Sequence, residues 1–240
     1  MNINFIILNP DLIASLGVFL LTAIIGVTSI IKPIRISNPL IRTFATIMVA
    51  SSLIFLLFNI GFDFSKFVSI SLIIIYFLFN LVIYLLLNKN SNFTSELFES
   101  LKFLNIKSQH LRSFLIILLV ILIKLVFTFL ILIISDSIHS KCSNLLFMIL
   151  LLIPELLILG YLVSKNDGEI LVFYIFNSII FNNLFLFGYS IYHFPIGAFH
   201  VVYSNGLMLL ISTLVFYPLT KSGNTIGRKE GLILIFFCAV

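Results

Sequence analysis

The chain has 240 residues, 61% of them hydrophobic and 10% charged, with a formal net charge of +5. So few polar side chains cannot cover a water-facing surface, which excludes a soluble domain and makes this a multi-span membrane protein. The apolar blocks are long and do not alternate, so they predict helices and not barrel strands.

In chain order, Met1 to Pro10 has no basic residue and no small-residue cleavage site before the next apolar run, so a signal peptide is not expected. At roughly 20 apolar residues per span, spans are predicted at Asp11–Ile31, Thr43–Gly61, Phe67–Leu87, Ser113–Ile134, Ser143–Ser164, Ile170–Ile191 and Val201–Leu219. A final run, Gly231–Val240, is too short to cross. The fold class that follows is an all-α polytopic membrane bundle of about seven full spans and a partial last one.

Assigning the connections alternately to two sides puts Lys32, Arg35, Arg42, Lys89, Lys102, Lys107, Arg112, Lys165, Lys221, Arg228 and Lys229 on one side, against Lys66 and Lys141 on the other. By the positive-inside rule the first side is cytoplasmic, both termini lie outside, and the membrane is a plasma or inner membrane. The basic balance is thus a topology signal, and it calls for no nucleic-acid partner. The longest connection, residues 88–110, is cytoplasmic, with Leu97, Phe98, Leu101 and Leu104 at helical spacing. That pattern predicts a short amphipathic helix on the bilayer surface. The sequon Asn92-Phe93-Thr94 falls on this side and is a chance match.

Cys142 and Cys238 form neither a disulfide framework nor a zinc site. His110, His139, His193 and His200 lie at or near span ends without ligand spacing and read as interfacial. Polar chemistry concentrates elsewhere. Pro154 and Glu155 interrupt one apolar span, a turn follows at Lys165 to Glu169, and Asn177, Ser178, Asn182 and Asn183 sit inside the next span. An ionisable group at the centre of a membrane helix costs about 3 kcal/mol or more. A proline also frees backbone carbonyls that can face a cation or a cavity. Glu155 is therefore either a ligand or a protonated carboxyl hydrogen-bonded to a neighbouring helix. Lys124, deep in the span Ser113–Ile134, is the matching basic oddity: it neutralises a carboxylate, snorkels or faces a cavity.

Sliding the chain against itself by 162 residues places Phe19 on Phe181, Gly26 on Gly188, Thr28 on Ser190, and Pro33-Ile34 on Pro195-Ile196. Further along, Phe64-Ser65-Lys66 falls on Ile226-Gly227-Arg228. An odd number of crossings separates the copies, so they face opposite ways, as inverted repeats of secondary transporters do. The division expected is an incomplete first repeat over 1–87, a cytoplasmic loop over 88–110 and a second repeat over 111–240.

The run Ile153-Pro154-Glu155-Leu156, then Gly168-Glu169, then Asn177-Ser178-Ile179-Ile180-Phe181-Asn182 leading to Gly188 resembles the second α-repeat of the cation/Ca2+ exchanger superfamily. The pattern of that family is GTSxPE, a GD turn, and GNxxGSNxFN. The tail Pro218 to Gly223 and Ile226 to Gly231 is similar to the entry to the family's last helix. The resemblance implies an antiporter moving Ca2+ against Na+ or H+ by alternating access, with no resident cofactor. It implies that Glu155, Ser178 and Asn182 are candidate ion ligands, Glu155 and Asn182 being the metal-binding pair, with Pro154, Asn177 and Lys124 shaping the seam. Departures are Leu150-Leu151-Leu152 in place of Gly-Thr-Ser, Ile179 in place of the first Asn, and a first-repeat segment, Ser15 to Leu20, without an amide. The first repeat's two leading helices would lie upstream of Met1, so a homodimer or a partner chain is a candidate source of them.

Two functions follow from different classes. One is an exchanger-type cation transporter in the lipid bilayer, possible in degenerate or partner-dependent form. The other is a non-transporting membrane scaffold in which the seam pins helices together, through contacts of about 0.6 to 2 kcal/mol each; it predicts that Glu155→Gln changes nothing. An enzyme is not expected, because no HExxH, Ser/His or Asp/Asp arrangement falls within the spans.

Overall fold

The computed structural model describes residues 10–61, 66–89, 108, 110–111, 114–115, 117–119, 121–126, 128, 156, 160, 168–193, 203–221 and 225–239. Helix α1 (Pro10–Phe19) widens into a π-turn at Leu20–Ile24 and continues as α2 (Ile25–Ile31). A two-residue strand β1 (Ile34–Arg35) leads to α3 (Pro39–Gly61) and α4 (Lys66–Lys89). Later in the chain α5 (Gly168–Ile180) widens into a second π-turn at Phe181–Leu186 and continues as α6 (Phe187–His193). Helix α7 (Tyr203–Lys221), strand β2 (Thr225–Ile226) and α8 (Arg228–Ala239) complete the described chain.

Four of these helical runs, Pro10–Ile31, Pro39–Phe58, Lys66–Lys89 and Gly168–Tyr192, are long and apolar enough to cross a membrane. They coincide with predicted spans but start earlier where local chemistry favours it. Helix α3 begins at Pro39, four residues ahead of Thr43, because Asn38 Oδ1 accepts from the Leu40 N–H at 3.0 Å and proline suits a first helical turn. Helix α8 begins at Arg228, where Glu230 reaches back to accept from the Gly227 N–H at 3.0 Å, as in a capping box. Most of the expected spans Ser113–Ile134 and Ser143–Ser164, and of the surface helix in 88–110, lie outside the described residues.

The helices group into two compact units. One comprises Leu8–Tyr76 and Gly168–Val240, the other Met1–Ile7 and Phe77–Asp167. In the first unit α3 runs parallel to α5 and α6. Phe44 meets Phe173 at 4.9 Å between ring centroids, and Phe55 meets Phe187 at 4.6 Å. Helix α7 packs on α3 and α1, with the Phe216 ring edge-on to Phe176 at 5.6 Å. At one end β1 pairs antiparallel with β2, Ile34 opposite Ile226. In lipid no water is expelled when helices associate, so such close packing carries much of the stability. In the second unit, an apolar helix through Ile117–Val126 carries Lys124, and the Tyr84 hydroxyl lies 3.5 Å from His110 Nδ1.

Two close helix crossings in the first unit share one plan. At the crossing of α2 and α8, a Cβ on Gly26 would stand 2.9 Å from the Gly231 carbonyl and 2.8 Å from the Ile235 side chain. At the crossing of α6 and α4, a Cβ on Gly188 would stand 3.1 Å from both the Ser69 carbonyl and the Ile73 side chain. Gly26 and Gly188, Gly231 and Ser69, and Ile235 and Ile73 are each 162 positions apart. Each crossing also holds one hydroxyl on its glycine carbonyl. Ser69 Oγ donates to the Gly188 carbonyl at 2.6 Å from across the interface, whereas Ser29 Oγ donates to the Gly26 carbonyl at 2.9 Å from within its own helix. Ser29 Oγ stands where a side chain on residue 231 would go, so that residue has none.

Gly231→Val would drive carbon into Ser29 Oγ and the Gly26 carbonyl, at a cost of about 1–3 kcal/mol. The expected readout is a thermal midpoint in detergent lowered by roughly 2–4 °C per kcal/mol. Gly160→Ala, where a Cβ meets nothing within 4 Å, should leave the midpoint unchanged or slightly raised. Equal midpoints for the two variants would refute a tight crossing at Gly231.

Candidate functional site

In a bilayer every backbone carbonyl needs a partner inside the protein. A π-turn disturbs that rule by stretching hydrogen bonds from the fourth to the fifth residue and bulging the helix. Nearby hydroxyls compensate in the first half: Thr22 Oγ1 donates to the Val18 carbonyl at 2.7 Å, and Thr28 Oγ1 to those of Ile24 and Ile25 at 2.8 and 3.0 Å. In the second half the widened turn buries two consecutive amides, Asn182 (7% exposed) and Asn183 (0%). One turn earlier Asn177 (2%) and Ser178 (0%) are buried as well. The structure thus gathers three of the predicted seam residues, Asn177, Ser178 and Asn182, on one buried helix.

Asn183 is partly satisfied. Its Nδ2 donates to Ser52 Oγ at 3.0 Å and Ser51 Oγ at 3.3 Å, on α3. Both hydroxyls donate to the Met48 carbonyl, at 3.1 and 2.8 Å respectively, which leaves their lone pairs to accept. Among the described residues, Asn183 Oδ1 has no partner, and neither Oδ1 nor Nδ2 of Asn177 has one. Leaving such a group buried and unpaired costs about 1–3 kcal/mol in proteins generally. Natural structures keep few of these groups, and each needs a reason. Ser51 and Ser52 were not among the residues singled out from sequence; their signal is an adjacent hydroxyl pair in an apolar span, level with an amide pair in another.

The carboxylate in the first turn of α5 has a structural task. Glu169 Oε1 accepts from the backbone N–H of Ser37, from the Ser37 hydroxyl at 2.8 Å and from the Asn38 N–H at 3.0 Å. It thereby fastens the start of the seam helix to the residues just ahead of α3 through Oε1. Among the described residues, no three His, Cys, Asp or Glu side chains come together to hold a metal. The ligands the seam offers are amide and hydroxyl oxygens. Pro154 and Glu155 lie outside the described residues. Lys124 is buried, 5% exposed, within the other unit.

The first half gives the seam no matching polar groups. The positions 162 residues before Asn177, Ser178 and Asn182 are Ser15, Leu16 and Leu20. Leu16 and Leu20 are 3% and 1% exposed, and the Ser15 hydroxyl is spent on the Asp11 carbonyl at 2.7 Å. Asn177→Val, which removes two unpaired ends, is expected to raise the thermal midpoint, while Asn183→Val, which strips a partner from Ser51 and Ser52, lowers it by about 1 kcal/mol equivalent. Thermal unfolding in detergent checks both; a fall for Asn177→Val as large as for Asn183→Val would show that the Asn177 amide is satisfied.

No family model matches the sequence, and no curated protein matches it. Solved structures do match its fold. One is the sodium-calcium exchanger NCX_Mj soaked with 2.5 mM Na+ and 0.1 mM Ca2+, at 18% identity and TM-score 0.62, covering 99% of this chain and 74% of that one. The same protein soaked with 10 mM Na+ and zero Ca2+ matches at 18% identity and TM-score 0.60, covering 99% and 75%. Soaked with 100 mM Na+ and 10 mM Sr2+ it matches at 16% identity and TM-score 0.61, again covering 99% and 75%. The chain is a membrane protein with the fold of the sodium-calcium exchanger NCX_Mj.

Proposed function

We propose that this chain is a secondary transporter of small cations that works by exchange, alternately exposing the seam of α5 and its π-turn to the two sides of the membrane. The observation that carries the reading is Asn177, an amide buried in a membrane helix with both ends unpaired. Packing alone does not retain such a group, whereas a site for a polar cargo does. The exchanger fold supports the reading and points to a transporter rather than an enzyme. In the exchangers that its motifs resemble, the exchange is Ca2+ against Na+ or H+.

The paired glycine crossings, 162 residues apart, support two inverted copies of one helical unit, the first within 1–87 and the second within 111–240, joined by the connection 88–110. The lysine and arginine distribution supports termini outside and that connection in the cytoplasm. Glu155, beside Pro154 in the preceding predicted span, is with Ser178 and Asn182 a proposed ion ligand, as the resemblance to the exchanger motif implies. Since the first half lines its equivalent positions with Leu16 and Leu20, a second copy or a partner chain is the proposed source of further ligands. The scaffold reading draws on Asn183 with Ser51 and Ser52, which do pin two helices; it gives Asn177 nothing to do.

The test is uptake of radiolabelled Na+ and Ca2+, each measured separately, into vesicles holding the full chain under an opposing cation gradient. Gradient-driven uptake that falls at least about tenfold in Glu155→Gln and in Asn182→Ala is expected, as loss of a ligand to a bound ion entails. Folded protein that moves neither ion sinks the transport reading in favour of a scaffold.

A further inference from the structure

We propose that the end of the first unit where α2, the paired strands and α8 meet is a site for one anionic phospholipid. Its phosphate sits among Lys32, Arg35, Arg228 and Lys229, and an acyl chain lies along the exposed face of α8. The cations come from two distant parts of the sequence. Lys32 caps the end of α2 and Arg35 stands on β1, whereas Arg228 and Lys229 open α8. Strand pairing sets Arg35 opposite Thr225, and α2 lies against α8 with both Gly26 and Ile30 on Gly231. All four cations are exposed. Among the described residues none of the four side chains has a hydrogen-bond or ion-pair partner, and the carboxylates of Glu169 and Glu230 at this end hold backbone N–H groups instead.

Next to the cations the surface turns apolar. Among the described positions of α8 the exposed ones are Arg228, Lys229, Leu232, Ile233 and Phe236, whereas Gly231 and Leu234 are buried. Steps of three and four residues keep these side chains on one face, with charge at the start and hydrocarbon for the next two turns. At 1.5 Å per residue the stripe runs about 12 Å, within the ~15 Å depth of one leaflet. On α2 the neighbours of Lys32 follow the same order, Val27 and Ile31 being exposed.

A cation cluster at the membrane boundary attracts anionic headgroups, and the arginine fork fits a phosphate with two parallel hydrogen bonds. Two simpler accounts of these residues fall short. The bias of Lys and Arg towards one side of a membrane orients the chain wherever on that side the charges fall, so it does not require two distant segments to set four of them beside one apolar stripe. Helix chemistry works against Arg228 and Lys229, because cations at a helix start oppose its dipole. A free phosphate would use the cations alone. A phospholipid uses the cations and the stripe together, and it needs nothing from the seam.

The full chain in neutral detergent is titrated with dioleoylphosphatidylglycerol, with dioleoylphosphatidylcholine or with glycerol 1-phosphate, and the thermal midpoint is read at each concentration, because a ligand of the folded state raises it. The variants are Arg35→Gln, Arg228→Gln, the two combined, and Lys66→Gln, which lies beyond the far end of α3. Expected is a rise with phosphatidylglycerol, little with phosphatidylcholine and none with glycerol 1-phosphate at the same concentrations. Affinity for phosphatidylglycerol should fall about fivefold in each arginine variant and about 25-fold in the combined one, and stay unchanged in Lys66→Gln. The lipid-free midpoint reports whether each variant is folded; if the combined variant is not, Lys32→Gln with Lys229→Gln takes its place. Equal rises with the two lipids overturn the role of the cations. A rise with glycerol 1-phosphate equal to that with phosphatidylglycerol overturns the lipid in favour of a free phosphate. No rise with phosphatidylglycerol, or an affinity unchanged in the folded combined variant or lowered as much in Lys66→Gln, overturns the site.

Discussion

The requirement that every backbone carbonyl find a partner without help from water governs this structure. A plain α-helix meets it residue by residue. The two π-turns, Leu20–Ile24 and Phe181–Leu186, meet it with wider bonds at matched places in the chain, and hydroxyls nearby add donors to backbone carbonyls around them. Thr22, Thr28 and Ser29 turn their hydroxyls back on their own helix, and Ser69 reaches across from a neighbour. Small residues at 26, 188 and 231 then become necessary, because the hydroxyls and the facing backbone occupy the space a side chain would take. Polarity in these helices is thus mostly a consequence of backbone geometry, which makes the polar groups that serve no such purpose conspicuous.

Those groups lie in the second half. Both π-turns widen the helix, but the first buries Leu20 and Leu21 where the second buries Asn182 and Asn183. One half of the seam is chemically furnished and the other is filled with hydrocarbon. Unpaired buried groups such as those of Asn177 are retained against stability, a pattern that marks working sites in proteins generally. Glu169 shows the opposite case, a carboxylate with three donors on one oxygen, held by Ser37 and Asn38.

Much of the architecture was readable from the residues, because a membrane helix must be long, apolar and bounded by turn chemistry. The runs beginning at Pro10, Pro39, Lys66 and Gly168 satisfied that constraint plainly. The amides at 177 and 182 stood out for the same reason, as exceptions in an apolar field. The π-turns did not, since bulging a helix leaves hydropathy untouched. Nor did the role of Glu169, whose partner Ser37 is 132 residues away. The proposed repeat rests in the sequence on Gly26 and Gly188, whereas Gly231 against Ser69 reads as a mismatch in an alignment. The likeness is one of packing: both crossings leave room for a single hydroxyl, supplied at one by Ser69 and at the other by Ser29.

That exchange of hydroxyls makes the two crossings mechanically unequal. Sliding α8 along α2 disturbs van der Waals contact but leaves the Gly26 carbonyl satisfied, because its hydroxyl travels with it on the same helix. Sliding α4 along α6 pulls Ser69 off the Gly188 carbonyl and leaves the Ser69 hydroxyl without that acceptor in a dry interface. Of the two glycine crossings, one therefore shears freely and the other resists until a bond breaks.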